Sequence, residues 1–202
     1  HSDHRRQRQM CIRDSLYGGI TTFNGIGGHY GDPDQPLILE TDEAFNTFEK
    51  IKISDLLVLN VDSDHLDYFK NLDNYKDAFY KVMKNVTDNL VINNDDLNIK
   101  SMKELKNPVS YGKDIAADFK VQSPGTFIYE NNKYEIKSDI IGDHFKANML
   151  GAIILALLNG IEIKDSLNAI ESFAGVKRRI ELIGISKGVL IYDDYGHHPT
   201  EM

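Results

Sequence analysis

Two short, nearly continuous apolar runs constrain the fold of this chain more than any other feature. "PLILE" (Pro36–Glu40) and "DLLVLNV" (Asp55–Val61) are too short for helices and too unbroken for half-solvated strands. That is the pattern of strands buried on both faces of a parallel sheet. Each run ends in acids or amides. In open parallel sheets ligands gather beyond the carboxyl ends of the strands, so Glu40–Glu43 and Asn60–His65 stand where a site is expected.

The segments between the runs fit the same architecture. Leu72, Tyr75, Phe79 and Val82 recur at helical spacing with charges between them, predicting an amphipathic helix. "NLVIN" (Asn89–Asn93) reads as another strand, and "FIYENNKYEIK" (Phe127–Lys137) as an antiparallel hairpin turning at Asn131-Asn132. "HFKANMLGAIILALLNG" reads as a helix stopped at Asn159-Gly160, and "KDSLNAIESFAG" as a second, stopped by Gly175. "GVLIYDD" (Gly188–Asp194) then starts a further strand. The expected class is α/β: a mostly parallel sheet flanked by helices, an added antiparallel hairpin, and the start of a second α/β domain.

Composition narrows the function. With 202 residues, 41% of them hydrophobic, the chain can bury a real core as one domain or as one plus part of another. The apolar run Met149–Leu158 is about half of the ~20 residues a bilayer span needs, so it is expected to be a buried helix and no membrane segment is indicated. A net charge of −8, from 23 basic and 31 acidic residues, argues against a nucleic-acid-coating surface and suits a magnesium-dependent enzyme. The single cysteine, Cys11, excludes an internal disulfide framework and fits a reducing, cytoplasmic setting. The first fifteen residues, "HSDHRRQRQMCIRDS", hold four arginines and no apolar stretch of signal-peptide length. They are expected to be a non-native or disordered leader, with a basic nucleic-acid arm as the alternative.

Several clusters carry chemistry, each with a plainer reading beside it. "ETDE" (Glu40–Glu43) puts three carboxylates in four positions; alone it would be a solvated loop. "NVDSDHLDYF" adds His65 among Asp62, Asp64 and Asp67 at a second strand end, which suits a hard-metal ligand set of imidazole and carboxylate oxygen. "GDHFKAN" sets His144 and Asn148 four apart, on one face of a helix start; His144 either caps that turn or meets a nucleotide. "GVKRRIE" supplies Lys177, Arg178 and Arg179, as a charged face or as a phosphate clamp. "IYDDYGHHPTEM", at the end of the chain, holds more titrating groups than a structural turn uses.

None of these is specific alone, but their order is. Glu-x-Asp-Glu, Asn-x-x-x-Asp-His-Leu-Asp, Gly-x-His-x-x-x-Asn, Gly-Val-Lys-Arg-Arg-x-Glu and Asp-Asp-Tyr-Gly-His-His-Pro-Thr-Glu together resemble the Mur ligase family, over roughly Gly27–Met202. The last of them is the most specific, and the spellings are similar to the branch that adds L-alanine to UDP-N-acetylmuramate. Such enzymes have a UDP-substrate domain, a central ATP-binding domain and a C-terminal domain that binds the amino acid. The resemblance therefore implies that residues 16–184 are a central ATP-binding domain and 185–202 the first strand and loop of the third, the chain being a fragment at both ends. It further implies an ATP-dependent amide-forming ligase of peptidoglycan synthesis, with ATP and Mg2+ as cofactors and UDP-N-acetylmuramate and L-alanine as substrates.

By motif position, the resemblance makes Glu40 and His65 magnesium ligands, puts His144 and Asn148 on the adenine side, Arg179 at the phosphates, Asp194 and Tyr195 on the nucleotide, and His197 and His198 toward substrate. Three features depart from the pattern. No Gly-Lys-Thr phosphate loop is present, "GIGGHY" (Gly25–Tyr30) lacking a lysine; Phe145 stands where asparagine is usual; and Tyr80 stands fifteen after His65, where some relatives carry a carbamylated lysine. Without the phosphate loop the 202 residues alone are expected to be inactive. The rivals are the recycling ligase that attaches a tripeptide to the same UDP-muramate, whose last motif tends to read Phe-Ala-His-His-Pro-Thr-Ala, and a non-catalytic binding module derived from such a ligase.

Overall fold

The computed structural model describes residues 15–16, 20, 27–29, 35–41, 43–64, 66–102 and 105–196. It divides into two compact units, Asp42–Phe173 and the described parts of His1–Thr41 with Ala174–Met202.

The first unit is built on six strands that lie in the sheet in the order in which they occur in the chain. These are β4 (Leu56–Val58), β5 (Leu90–Asn93), β6 (Val109–Gly112), β7 (Phe119–Ser123), β8 (Thr126–Tyr129) and β9 (Asn132–Glu135). The first four run parallel and the last two close antiparallel. The expected strand at "NLVIN" is β5, and Val91 at its centre is fully buried. The expected hairpin is β8–β9, its two-residue loop falling on Glu130 and Asn131, one position earlier than read from sequence; both have positive φ. Not anticipated were β6, which holds a serine and a glycine, and β7, whose lysine and glutamine interrupt the apolar signal.

The link from β6 to β7 covers only residues 113–118, far shorter than the dozen or more that a parallel crossover normally takes. Asp118 staples it, its Oδ2 accepting both the backbone N–H and the hydroxyl of Ser110 at 2.8 Å. At the other end of the loop Asp114 accepts from Ala116 N–H and pairs with Lys100, which holds its carboxyl below the usual range.

Five helices flank this sheet: α1 (Ala44–Lys50, wound as 3₁₀), α2 (Leu66–Phe69), α3 (Leu72–Lys84), α4 (Leu97–Ser101) and α5 (Asp143–Leu158), with α6 (Ile163–Glu171) packed on α5. Asn71 caps α3 by accepting from Asn74 N–H at 2.8 Å, as its amide at a helix start predicts. The periodicity read over Leu72–Val82 is the buried face of α3, where Tyr75, Ala78 and Val82 join Phe48, Phe69 and Ile92 in one core. The apolar Met149–Leu158 run lies inside α5 and forms a second core with Val91, Tyr111, Phe119 and Phe127. Ile153, Ile154 and Phe127 are at most 1% exposed, and each such side chain contributes about 1.5–3 kcal/mol of transfer free energy. Gly151 lets α5 approach the sheet, since a Cβ there would lie 2.8 Å from Leu57 Cδ1 and 3.1 Å from the Tyr111 hydroxyl.

In the second unit, β1 (Ser15–Leu16), β2 (Gly28–His29) and β3 (Ile38–Leu39) form one small sheet, and β10 (Glu181–Ser186) and β11 (Val189–Asp193) an antiparallel ribbon. Here the expectation for "PLILE" is corrected. It is a two-residue strand paired in parallel with Ser15–Leu16, and Leu37 and Ile38 are 57% and 54% exposed, so this run is not buried on both faces. Its partner strands are equally short and cover little of it. "GVLIYDD" does form a strand, β11, but its partner is the unanticipated β10, whose alternation is broken by a register shift beside Gly184. Among the described residues no helix is long and apolar enough to cross a membrane.

Candidate functional site

In the six-stranded unit, the loops after β4, β5 and β6 leave from the same, carboxyl, end of the sheet. Past β4, Val61 is 1% exposed and its peptide group is held on both sides. Its N–H donates to Asp96 Oδ2 at 3.3 Å, and its carbonyl accepts from Asn98 Nδ2 at 2.7 Å. The half-buried Asp62 and Asp64 follow. On α3, the Tyr75 hydroxyl donates to Glu43 Oε1 at 3.0 Å. Burial, then Glu43, Asp64 and Asp62, push the Tyr75 phenol well above its ordinary range. Glu43 thus holds the phenol by a hydrogen bond, while Asp64 and Asp62 act on it through their charge. His65 lies outside the described residues. Glu40 is exposed at the end of β3, in the other unit. Among the described residues no group of three or more His, Cys, Asp or Glu is placed to hold a metal ion.

Helix α5 brings His144 and Asn148 to this same end. Its C-terminal Asn159 donates to Asp55 at the start of β4 at 3.3 Å, whereas Lys146 near its N-terminus donates to Ser138 O at 3.0 Å and packs at Gly125, beyond the end of β7. The helix therefore runs against the parallel strands, with its positive end at their carboxyl ends. Gly142 precedes it at φ 123°; a Cβ there would come within 2.7 Å of His144 Cε1. His144 is exposed and Asn148 half-buried one turn on. Phe145 lies against the His144 ring, centroids 4.2 Å apart, and packs on the α5 core beneath.

In the other unit, the Lys-Arg-Arg loop folds onto the end of β11. Asp194 accepts from Ile180 N–H at 2.7 Å through Oδ2 and from Gly196 N–H at 2.6 Å through Oδ1, and Tyr195 N–H donates to Arg178 O at 2.7 Å. Arg178 and Arg179 stand 4.7 and 5.9 Å from the Tyr195 ring centroid. Arg178 and Ile180 both adopt positive φ, 60° and 48°. A β-branched residue there is strained by about 1–2 kcal/mol, which the carboxylate of Asp194 helps to offset. Arg179, Asp194 and Tyr195, picked out separately in the sequence, are thus neighbours. The carboxylate of Asp194 already serves two backbone donors, and the Tyr195 ring already carries a guanidinium. His197 and His198 lie outside the described residues.

Sequence reading overlooked Asp96 and Asn98, which carry the Val61 peptide, and Tyr75, which it took only as a core position. Asp96 was findable: an aspartate between a buried strand and a helical turn is a capping signal, and it caps α4 by accepting from Ile99 N–H at 2.8 Å.

Residues 42–156 match the family described as "Mur ligase middle domain". The chain is 36% identical over 201 residues to the UDP-N-acetylmuramate–L-alanine ligase of Dictyoglomus turgidum, covering 93% of this chain and 43% of that protein. It is 38% identical over 198 residues to the ligase of the same name from Clostridium botulinum, covering 92% and 43%. A crystal structure of the UDP-N-acetylmuramate-alanine ligase from Thermotoga maritima superposes with a TM-score of 0.78 at 24% identity, over 96% of this chain and 46% of that one. The chain spans less than half the length of these relatives.

Proposed function

From the premise that this chain belongs to the Mur ligase family, we propose that it serves the ATP-dependent joining of L-alanine to UDP-N-acetylmuramate in peptidoglycan synthesis. The observation that carries the reading is the 36–38% identity, across more than nine-tenths of the chain, to ligases bearing that name. The fold, with several of the family's motif residues gathered at the carboxyl end of a parallel sheet, supports it.

In this reading a muramate carboxylate oxygen attacks the γ-phosphorus of ATP and ADP leaves, giving an acyl phosphate. The amine of L-alanine then attacks the acyl carbon; inorganic phosphate leaves and the nitrogen loses a proton. Proteins contribute to such transfers by positioning groups and placing charge. The arginine pair at Arg178 and Arg179 suits phosphate oxygens, on a loop whose backbone Asp194 ties down at Ile180. Tyr195 offers an aromatic face to a base. The N-terminus of α5, with His144 and Asn148, would face the adenine side, and Phe145 replaces an amide there with an apolar ring. His197 and His198 are assigned to the incoming substrates. We assign magnesium to Glu40 and His65 on the family's pattern. The ion would supply charge neutralisation at the phosphates. Residues 16–184 are read as the ATP-binding region and 185–202 as the beginning of the amino-acid-binding one.

The test is phosphate release and product formation by the protein with ATP, UDP-N-acetylmuramate and either L-alanine or a muramyl tripeptide. Turnover with L-alanine is expected when the 202 residues stand in a chain that also carries the phosphate loop and flanking domains, where Arg179→Ala should abolish it, and none is expected of the 202 residues alone. Turnover only with the tripeptide would replace the proposed substrate, and ATP binding without ligation under any pairing would favour a binding module.

A further inference from the structure

The exit of β5 is bonded to the exits of the strands on both sides of it. Toward β6, Asn94 N–H donates to Tyr111 O at 2.7 Å, and Asp95 Oδ1 accepts from Lys113 N–H at 2.8 Å. Toward β4, Asp96 and Asn98 take the N–H and the C=O of Val61. The segment is itself stiffened: Asp95 N–H donates to Asn93 Oδ1 at 3.0 Å, Asp96 N–H to Asn93 O at 3.3 Å, and Asp96 Oδ1 caps α4. The ladder between β4 and β5 stops at the Val58–Ile92 pair. Val61 lies three residues beyond, where no strand partner fixes the main chain and two side chains of the neighbouring exit do so instead.

We infer that Asp96 and Asn98 are positioning residues: by gripping the Val61 peptide from both sides they set the height and direction at which Asp62–Asp64 leave the sheet toward Tyr75 and Glu43. The inference rests on the ligase reading above, in which His65, the residue after Asp64, is assigned to magnesium. Neither residue is assigned a contact with substrate. Their chemistry explains the division of labour: a carboxylate oxygen can only accept, and so takes the N–H, while a primary amide nitrogen can only donate, and so takes the carbonyl. Asp96→Asn keeps one oxygen for the α4 cap and replaces the other by a donor, which faces the Val61 N–H with a like group. Asn98→Ala removes the carbonyl partner and leaves the cap intact.

The experiment compares wild type, Asp96→Asn, Asn98→Ala and a core variant far from the loop, Phe127→Leu, each within a chain that also carries the phosphate loop and flanking domains, in two measurements. Amide exchange at Val61 should accelerate roughly tenfold in Asp96→Asn, as a lost hydrogen bond opens a buried amide. The gain in ATP affinity on adding magnesium, measured by calorimetry against EDTA, should fall roughly tenfold in both loop variants, while Phe127→Leu retains it despite a comparable loss of stability. Retention of the full gain in Asn98→Ala and Asp96→Asn overturns the inference and leaves only a structural tie. A wild-type protein that gains nothing from magnesium sinks the ligase reading itself, and this inference with it. Rescue of the gain by Asn98→Gln but not by Asn98→Leu would support the donor role.

Discussion

Gly112→Ala is a stringent test of the packing at the carboxyl end of the sheet. A Cβ built on Gly112 would lie 2.6 Å from Asp95 Oδ1, 3.0 Å from its Cγ and 3.2 Å from its backbone nitrogen. No real Cβ tolerates the first contact, so the Asp95 side chain must swing away. Overpacking of this kind costs about 1–3 kcal/mol. Moving Asp95 also breaks its 2.8 Å bond from Lys113 N–H, for about 1 kcal/mol more. The expected loss is therefore about 2–4 kcal/mol, read as a lower urea midpoint in far-ultraviolet circular dichroism, or as a Tm drop of roughly 4–16 °C at ~2–4 °C per kcal/mol. The reasoning further requires that the penalty depend on Asp95. In Asp95→Ala/Gly112→Ala the carboxylate is gone, so the double variant should be more stable than the sum of the single effects implies, by about 1 kcal/mol or more. A loss below about 0.5 kcal/mol in Gly112→Ala, or strict additivity with Asp95→Ala, would refute the contact as the cause.

Three further outcomes are expected. Phe127→Ala, at a fully buried position between the Phe119 and Tyr134 rings, should cost about 3–5 kcal/mol by urea unfolding. Glu130→Asn should stabilise the fold by about 0.5–1 kcal/mol, read as a higher urea midpoint, because φ at Glu130 is 47° in a two-residue hairpin loop that asparagine fits with less strain. Burial raises the phenols of both Tyr75 and Tyr111, with nearby carboxylates adding to it, so above pH ~10 the unfolded chain loses protons that the folded one keeps. Stability should then fall as pH rises, by about 1.4 kcal/mol per unit for each tyrosine, with no loss from this source below pH ~9; Tyr75→Phe should remove one share of the slope, and phenolate absorbance should lag until unfolding.

How much of this was legible in the sequence depended on whether one residue or several carried the signal. Periodicity found α3, because burial of one helical face imposes a repeat that survives point-by-point variation, whereas α5 was legible from its long apolar run and its Asn-Gly stop and α6 from its glycine stop. β5 was legible because both its faces are covered. "PLILE" misled for the converse reason: four apolar residues in a row announce a buried strand only when the sheet supplies long neighbours, and Ser15–Leu16 is not one. β6 and β7 escaped because four- and five-residue strands with Ser110, Gly112, Lys120 and Gln122 contain too few apolar positions for a period to register. At the site, side chains of recognisable type were legible singly, and Arg179, Asp194 and Tyr195 proved to be neighbours. Asp96, Asn98 and Tyr75 were not, since their role lies in which main-chain atom or carboxylate they reach across 32 to 37 residues of sequence, and no local pattern encodes that reach.

The six strands β4 to β9 lie side by side in the order of the chain. A ribosome delivers that order in time. Each strand, once it clears the exit tunnel, finds its partner already waiting, and no edge has to be held open for a strand that is synthesised much later. Most open α/β sheets insert strands out of order and must keep an unpaired hydrophobic edge exposed while the missing one is made, which is when nascent chains aggregate or recruit chaperones. In this unit the growing edge is always the newest strand. The last addition is β8–β9, a pair closed by a two-residue turn, which forms within microseconds of emerging and ends in Asn132, Lys133 and Glu135, side chains that discourage anything further from adding to the edge.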